Sequence, residues 1–198
     1  MLPKSPSGRL DLILQPLYEE VFEPDAAPDS PLVRFIAYGD RHRVFGWVRL
    51  RASRLTDLMN AHPELHLSGV EIESFDEGIR QPIEDITIHR GQLVAVHAAG
   101  PRGDSGLRQD TQTHPVALQS GNYLIGGRVH VDPGTDPIGS ITERPAMLPL
   151  TDAWIEYWSG EDLKHRSTGT IIVNREHADW IRVVTDEELA GSRLRLRA

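Results

Sequence analysis

From Leu32 onward the chain alternates. Val33, Phe35 and Ala37 interleave with polar neighbours, Gly39-Asp40-Arg41 punctuates, and residues 44–50 run β-like again. Period-two alternation broken by a glycine-containing turn predicts a hairpin. Leu55, Leu58 and Met59 then share one side of a short helix, for which the spacing predicts Ser53 as N-cap. Leu65, Leu67, Val70 and Ile72 predict a further strand with a break near Gly69. Gly78 reads as a turn. Ile83, Ile86 and Ile88 lead to a second turn at His89-Arg90-Gly91, and residues 93–96 close the stretch.

The same order then returns. Residues 116–119 and the turn Ser120-Gly121-Asn122 lead into an apolar run at 123–131. Residues 136–142 parallel the short helix, and 148–155 parallel 65–72. Gly160 marks a hairpin turn, and residues 171–181 parallel 86 onward. Gly46 matches Gly127 and Val48 matches Val129 at an offset of 81. Leu65, Leu67 and Ile72 match Leu148, Leu150 and Ile155 at 83. Ile86 and Arg90 match Ile171 and Arg175 at 85. The offset changes only across predicted loops, where insertions are tolerated. A β-β-α-β-β-β unit of this size is marginal alone, so two copies would support each other. Gly46 and Gly127, inside strands, predict bulges or sharp bends.

The expected fold is therefore mainly β (α+β). It comprises two tandem β-β-α-β-β-β small barrels or curved sheets with pseudo-twofold symmetry, plus a short N-terminal helix. The expected boundaries are an N-terminal helix and proline-rich spacer at 1–31, a first repeat at 32–98 and a linker at 99–115. A second repeat at 116–185 and a basic tail at 186–198 complete them. In the first segment Leu10, Ile13, Leu14, Leu17, Tyr18 and Val21 form one helical stripe. Pro16 places the helix start near itself. Residues 23–31 hold three prolines and cannot keep a regular element. In the tail, Arg193, Arg195 and Arg197 alternate with Leu194 and Leu196, a pattern that could add to a sheet edge.

The short helix Arg54-Leu55-Thr56-Asp57-Leu58-Met59-Asn60 carries one motif. Leu148-Pro149-Leu150-Thr151-Asp152-Ala153 and Ile172-Val173-Asn174-Arg175-Glu176-His177 carry two more. Together they resemble an uncharacterised bacterial family of short cytoplasmic β-rich domains, here in two copies over about residues 33–97 and 116–184. The resemblance implies a fold and no catalytic assignment. The five-strand outline also loosely resembles Sm-like small barrels, with the helix after the second strand instead of before the first.

Composition narrows the function. The 198 residues contain no cysteine, which excludes disulfides, thiolate zinc sites, iron–sulfur clusters and a cysteine nucleophile. A net charge of −8 disfavours coating of phosphate backbones. No apolar run is long enough to span a membrane, and the N-terminal apolar run is too short for a signal peptide. The expected location is cytoplasmic.

Candidate chemistry is sparse. His62 and His66 stand at i, i+4, a metal-binding spacing on a helix, but Pro63 and the Leu65/Leu67 alternation argue for a loop and strand. Arg90 and Arg175 recur beside a tight turn and could bind a phosphate or carboxylate, or serve structure. Asp57, Asp152, Glu71 and Glu156 could serve as acids or bases but show no convergence. Thr56-Asp57 and Thr151-Asp152 fit capping or turn roles. Arg102-Gly103-Asp104 would act in adhesion only outside the cell. Trp154, Tyr157 and Trp158 form the densest aromatic stretch and are interface candidates. Neither a serine-elbow nor a phosphate-loop motif occurs.

The function expected is a non-enzymatic interaction or regulatory module working through a protein partner or self-association, with no catalytic residue and no cofactor. The alternative is a small-anion or nucleotide binder using Arg90 and Arg175. A metal-dependent hydrolase using His62 and His66 ranks below it.

Overall fold

The computed structural model describes residues 30–100 and 110–191. The N-terminal stripe and most of its spacer, the Arg102-Gly103-Asp104 tripeptide and the arginine-rich end at 192–198 lie outside the described residues.

The protein is mainly β. In the first stretch, alternation builds β1 (Leu32–Tyr38) and β2 (His42–Arg49), joined at the expected Gly39 turn. Helix α1 (Leu55–Ala61) buries Leu55, Leu58 and Met59. Its N-cap is Arg54, not Ser53, and makes no side-chain cap. The Arg54 guanidinium instead grips Asp57 in the first turn, at 2.8 and 2.9 Å. The helix stops where Pro63 forces His62 into extended backbone, φ −123°. Strands β3 (Glu64–Ser74), β4 (Arg80–Ile83), β5 (Ile86–His89) and β6 (Ala95–His97) follow, with a 3-10 turn at Arg90–Gln92.

The second stretch contains β7 (Gln112–Ser120), β8 (Tyr123–Val131), α2 (Pro137–Glu143), β9 (Met147–Ser159) and β10 (Asp162–Asn174). A 3-10 turn at Arg175–His177, β11 (Trp180–Val183) and α3 (Asp186–Gly191) complete it. Here α2 does have a side-chain cap: Asp136 accepts from the Gly139 amide at 2.6 Å, and Pro137 fills the first turn. Two boundaries differ from expectation. Strand β7 starts at Gln112, inside the stretch read as linker, because β8 runs on to Val131 and pairs with it. Residues read as the start of a basic tail form α3, whose first turn is acidic.

One antiparallel sheet carries the strands in the order β11-β7-β8-β9-β10-β6-β1-β2-β3-β4, with β5 also on β3. In each stretch the last strand returns beside the first, β6 on β1 and β11 on β7. The registers agree throughout. Leu32 opposes Arg49 as Thr113 opposes His130. Phe45 opposes Glu71 as Gly126 opposes Trp154. Leu65 opposes Ile88 as Leu148 opposes Val173. These pairs are related by the offsets 81, 83 and 85. Both β2–β3 and β8–β9 slip by one residue, opposite Gly46 and Gly127 respectively. These slips are the bulges that the two strand glycines predict.

The stretches join where β10 pairs with β6 over three residues, Ile171–His97 to Val173–Ala95. Both faces are buried there. Ile171 and Val173 enter one apolar cluster with Val116, Ile125, Leu150 and Ile155. Ile172 and Val96 enter another with Phe35, Val48, Leu58 and Leu67. The clusters exchange side chains, since Tyr38 and Phe75 reach into the first and Met147 into the second.

Candidate functional site

Three places in this architecture could carry function: the junction of the two stretches, a cleft beside it and an open sheet face.

The junction takes Arg90 and Arg175. Each begins a 3-10 turn whose first amide donates back across the sheet, Arg90 to Pro63 O at 2.7 Å and Arg175 to Ala146 O at 2.9 Å. The Arg90 Nη1 donates to the Met59 and Asn60 carbonyls at the end of α1, at 3.0 and 2.9 Å. The Arg175 Nε donates to the Arg144 carbonyl at the end of α2, at 2.8 Å. A guanidinium at a helix C-terminus satisfies orphan carbonyls and matches the helix dipole. Asn60 then bridges the stretches, donating to Met147 O at 2.9 Å and accepting from Met147 N at 3.0 Å. These contacts support the structural role for the recurrent arginines.

The cleft has a volume of about 450 Å³ and is lined by Asp40, His42, Gln92, Val94, Ser120, Gly121, Tyr123 and His177. Six of its eight lining residues come in pairs: Asp40 with Gly121 and His42 with Tyr123 at offset 81, Gln92 with His177 at 85. Each pair sits at the same turn or strand start of its stretch. The His42 ring packs against Gly39, where an added Cβ would lie 2.7 Å from Nε2. The buried Tyr123 hydroxyl donates to the Gly39 carbonyl. Burial and the neighbouring Tyr157, Tyr38 and Asp40 push its pKa far up, so it stays a neutral donor. The cleft thus offers two imidazoles, one carboxylate, one carboxamide and a serine hydroxyl. Among the described residues no lysine or arginine lines it.

Neither His42 nor His177 stands out in the sequence, since Tyr123 and Gln92 occupy their matching positions. A cleft lined by both copies of a position needs the residue only once.

The histidine pair of the metal reading divides. His62 caps α1 and His66 lies in β3, 3.6 Å from Asp85. The i, i+4 spacing is therefore not helical. Among the described residues no group of three or more histidine, aspartate or glutamate side chains is placed to hold a metal ion. Asp57 is bound to Arg54, and Glu71 lies 3.9 Å from Arg80. Glu156 is buried, 3.4 Å from His165.

The aromatic stretch is corrected in part. Trp154 is only 7% exposed. Its ring covers Gly126, and its Nε1 donates to Leu189 O of α3 at 3.2 Å. Tyr157 is buried among Tyr38, Phe75 and Tyr123. Trp158, at 44% exposure, is the one of the three that faces out. Alternation alone could not reveal that α3 folds back over the Trp154 face.

That cover exists in the second stretch. Ala117, Leu124, Trp154, Val184 and Leu189 form a buried cluster there, flanked by Trp180. In the first stretch the matching face of β1 and β2 carries Leu32, Arg34 and Ile36 opposite Arg49, Trp47 and Phe45. Trp47 is 45% exposed and Leu32 is also exposed. Two guanidiniums lie over the Phe45 ring, Arg80 at 4.4 Å and Arg43 at 5.0 Å. Arg43 is buried and bonds Glu73 at 2.6 Å. An apolar strip edged by arginines suits a partner with apolar and acidic side chains.

Among the described residues no helix is long and apolar enough to cross a membrane. The chain matches no protein-family profile, no curated protein and no solved structure.

Proposed function

We propose that this protein is a non-enzymatic cytoplasmic interaction module. It is built from two tandem β-β-α-β-β-β units of the bacterial β-rich family it resembles, related by a pseudo-twofold. It acts by docking a protein segment that carries apolar and acidic side chains. The observation that carries the reading is the contrast between two matching faces. One is sealed by α3 around Trp154, and the other leaves Leu32 and Trp47 exposed among arginines. The shared registers and the paired bulges support the tandem arrangement. The anion-binding alternative has less support, since Arg90 and Arg175 are engaged on helix-end carbonyls.

The test compares the intact chain with Trp47→Glu and Trp158→Glu, by sedimentation velocity and by affinity capture from its host. An association, with itself or with a partner then purified and re-bound, that Trp47→Glu abolishes and Trp158→Glu leaves intact supports the reading. A chain that stays monomeric and captures nothing dependent on Trp47 overturns it.

A further inference from the structure

We infer that the outer edges of β5 and β11 join two copies of this chain, β5 of one copy pairing antiparallel with β11 of the other. The contact uses strand edges and not the Trp47 face, so it stands apart from the docking reading.

The molecule already makes this contact once, within itself. Strand β10 meets β6 through Ile171–His97, Ile172–Val96 and Val173–Ala95. Asn174 N donates to Val94 O at 2.9 Å, and Ala98 N donates to Thr170 O at 3.1 Å. Hydrogen-bonded pairs recur every second residue, so Ile172 and Val96 form the pair between them. The offset of 85 that relates Ile86 to Ile171 also relates β6 to β11: Val94 N donates to Tyr38 O as Asp179 N donates to Gln119 O. Applied to the junction, that offset sets β5 against β11. Ile86 then opposes Arg182, Thr87 opposes Ile181 and Ile88 opposes Trp180. Among the described residues this second junction is not made: β5 pairs with β3 alone and β11 with β7 alone.

Both edges are in phase for it. Arg90 N donates to Pro63 O, and the β3–β5 register continues from that pair. Ile88 and Ile86 therefore turn their backbone groups to β3, and Thr87 turns its own outward. Val184 N donates to Pro115 O, so Arg182 and Trp180 turn to β7 while Ile181 and Val183 turn outward. Thr87 and Ile181 are the pair that the junction requires. Val183 matches Ala98, so its amide would donate to Asp85 O. The His89 amide, also outward, is held by Gln92 Oε1 at 3.3 Å. The residue types agree as well. The two strands carry isoleucine, threonine, tryptophan and valine, which favour strands, and neither proline nor lysine, which guard edges. A chain bearing both complementary edges matches itself, which favours a second copy over an unrelated strand.

The experiment uses the intact chain, which has no cysteine of its own. Chains carrying Ile86→Cys and Arg182→Cys are mixed under mild oxidation, and the disulfide-linked products are weighed. These positions form a non-hydrogen-bonded pair, where side chains stand closest. The mixed dimer should exceed either same-variant dimer, and Thr87→Cys, on the opposite face, should not replace Ile86→Cys. In sedimentation velocity, Thr87→Pro and Val183→Pro each remove an outward amide hydrogen and leave the β3 and β7 ladders intact. Each should weaken association at least about tenfold, and Trp47→Glu should leave it unchanged. The disulfide result decides should a proline variant misfold. No mixed disulfide, with a chain that stays monomeric at high concentration, overturns the inference. So does a disulfide that closes within single molecules of Ile86→Cys/Arg182→Cys and not between molecules. If Trp47→Glu abolishes association and both proline variants retain it, the edge contact fails and the docking reading stands. If the mixed disulfide forms and nothing depends on Trp47, the edge contact stands and the docking reading fails.

Discussion

Gly69 and Asp152 hold the same left-handed backbone, φ 56° and 47°, at the same place in two bulges. Each lies opposite a strand glycine, Gly46 or Gly127, where the register slips. Asp152 is the only non-glycine residue with positive φ among those described. The conformation is costly for an L side chain, though aspartate tolerates it better than most. Its side chain is exposed, and its 3.9 Å approach to Arg128 Nε returns little.

Asp152→Gly should therefore stabilise the protein by about 0.5–1 kcal/mol, and Gly69→Ala should destabilise it by about 1 kcal/mol. Denaturant midpoints of the two variants, measured together, check both signs. Destabilisation by Asp152→Gly would mean that the aspartate contributes a contact beyond its backbone.

Arg90 holds two carbonyls at the end of α1, and Arg175 holds one at the end of α2. Arg90→Ala and Arg175→Ala should each cost about 1–3 kcal/mol, with Arg90 the larger, because half-buried carbonyls lose charged donors. Thermal melts in phosphate and in a non-coordinating buffer separate this role from anion binding. Equal losses in both buffers favour the structural role, whereas a phosphate-dependent difference favours the anion reading.

Trp154 and Trp158 lie on one strand with opposite surroundings. Trp154→Ala should cost about 3–5 kcal/mol, since it opens the cluster under α3. Trp158→Ala should change stability by less than about 0.5 kcal/mol. Urea unfolding of both variants reads the difference, and similar losses would place Trp158 in a buried contact.

His97 stacks on Tyr38 and lies 2.9 Å from its hydroxyl. Burial, with Arg43, Arg166 and Arg34 nearby, lowers its pKa to about 4. The unfolded chain takes up this proton near pH 6.5 and the folded chain resists it until about pH 4. The group thus costs nothing above pH 6.5. Its penalty grows as pH falls and reaches at most about 3 kcal/mol near pH 4. The lowered carboxylate of Glu73, held by Arg43 and Arg80, also loses stability on acidification. The two are separated by comparing wild type with His97→Gln. The variant should lose less stability between pH 6.5 and 4, and parallel curves would assign the acid sensitivity to Glu73.

Much of the fold was legible because alternation and turn residues are local signals. The β1–β2 hairpin, the helix face of Leu55, Leu58 and Met59, and the offset from Gly46 to Gly127 all appear in the chain before any contact is known. Long-range pairing was not legible. Gln112, Thr113 and His114 read as linker because their strand character comes from pairing with β8. Ser53 was the better N-cap by residue type, yet Arg54 takes the position and uses Asp57. Trp154 was read as an interface because nothing in its own strand announces α3. The cleft was missed for a similar reason. His42 and His177 are 135 positions apart in sequence and line one cleft because the matching turns of the two stretches lie side by side.

One end of the sheet is β4, whose four residues are all exposed. Pro82 has no amide hydrogen to offer a newcomer, and the Arg80 Nε is held by Glu73 at 3.0 Å. The edge therefore offers a neighbouring molecule one backbone donor fewer for extending the ladder, which disfavours templated fibril growth at this border. At this border crowded molecules therefore meet through side chains, in contacts that can be reversed.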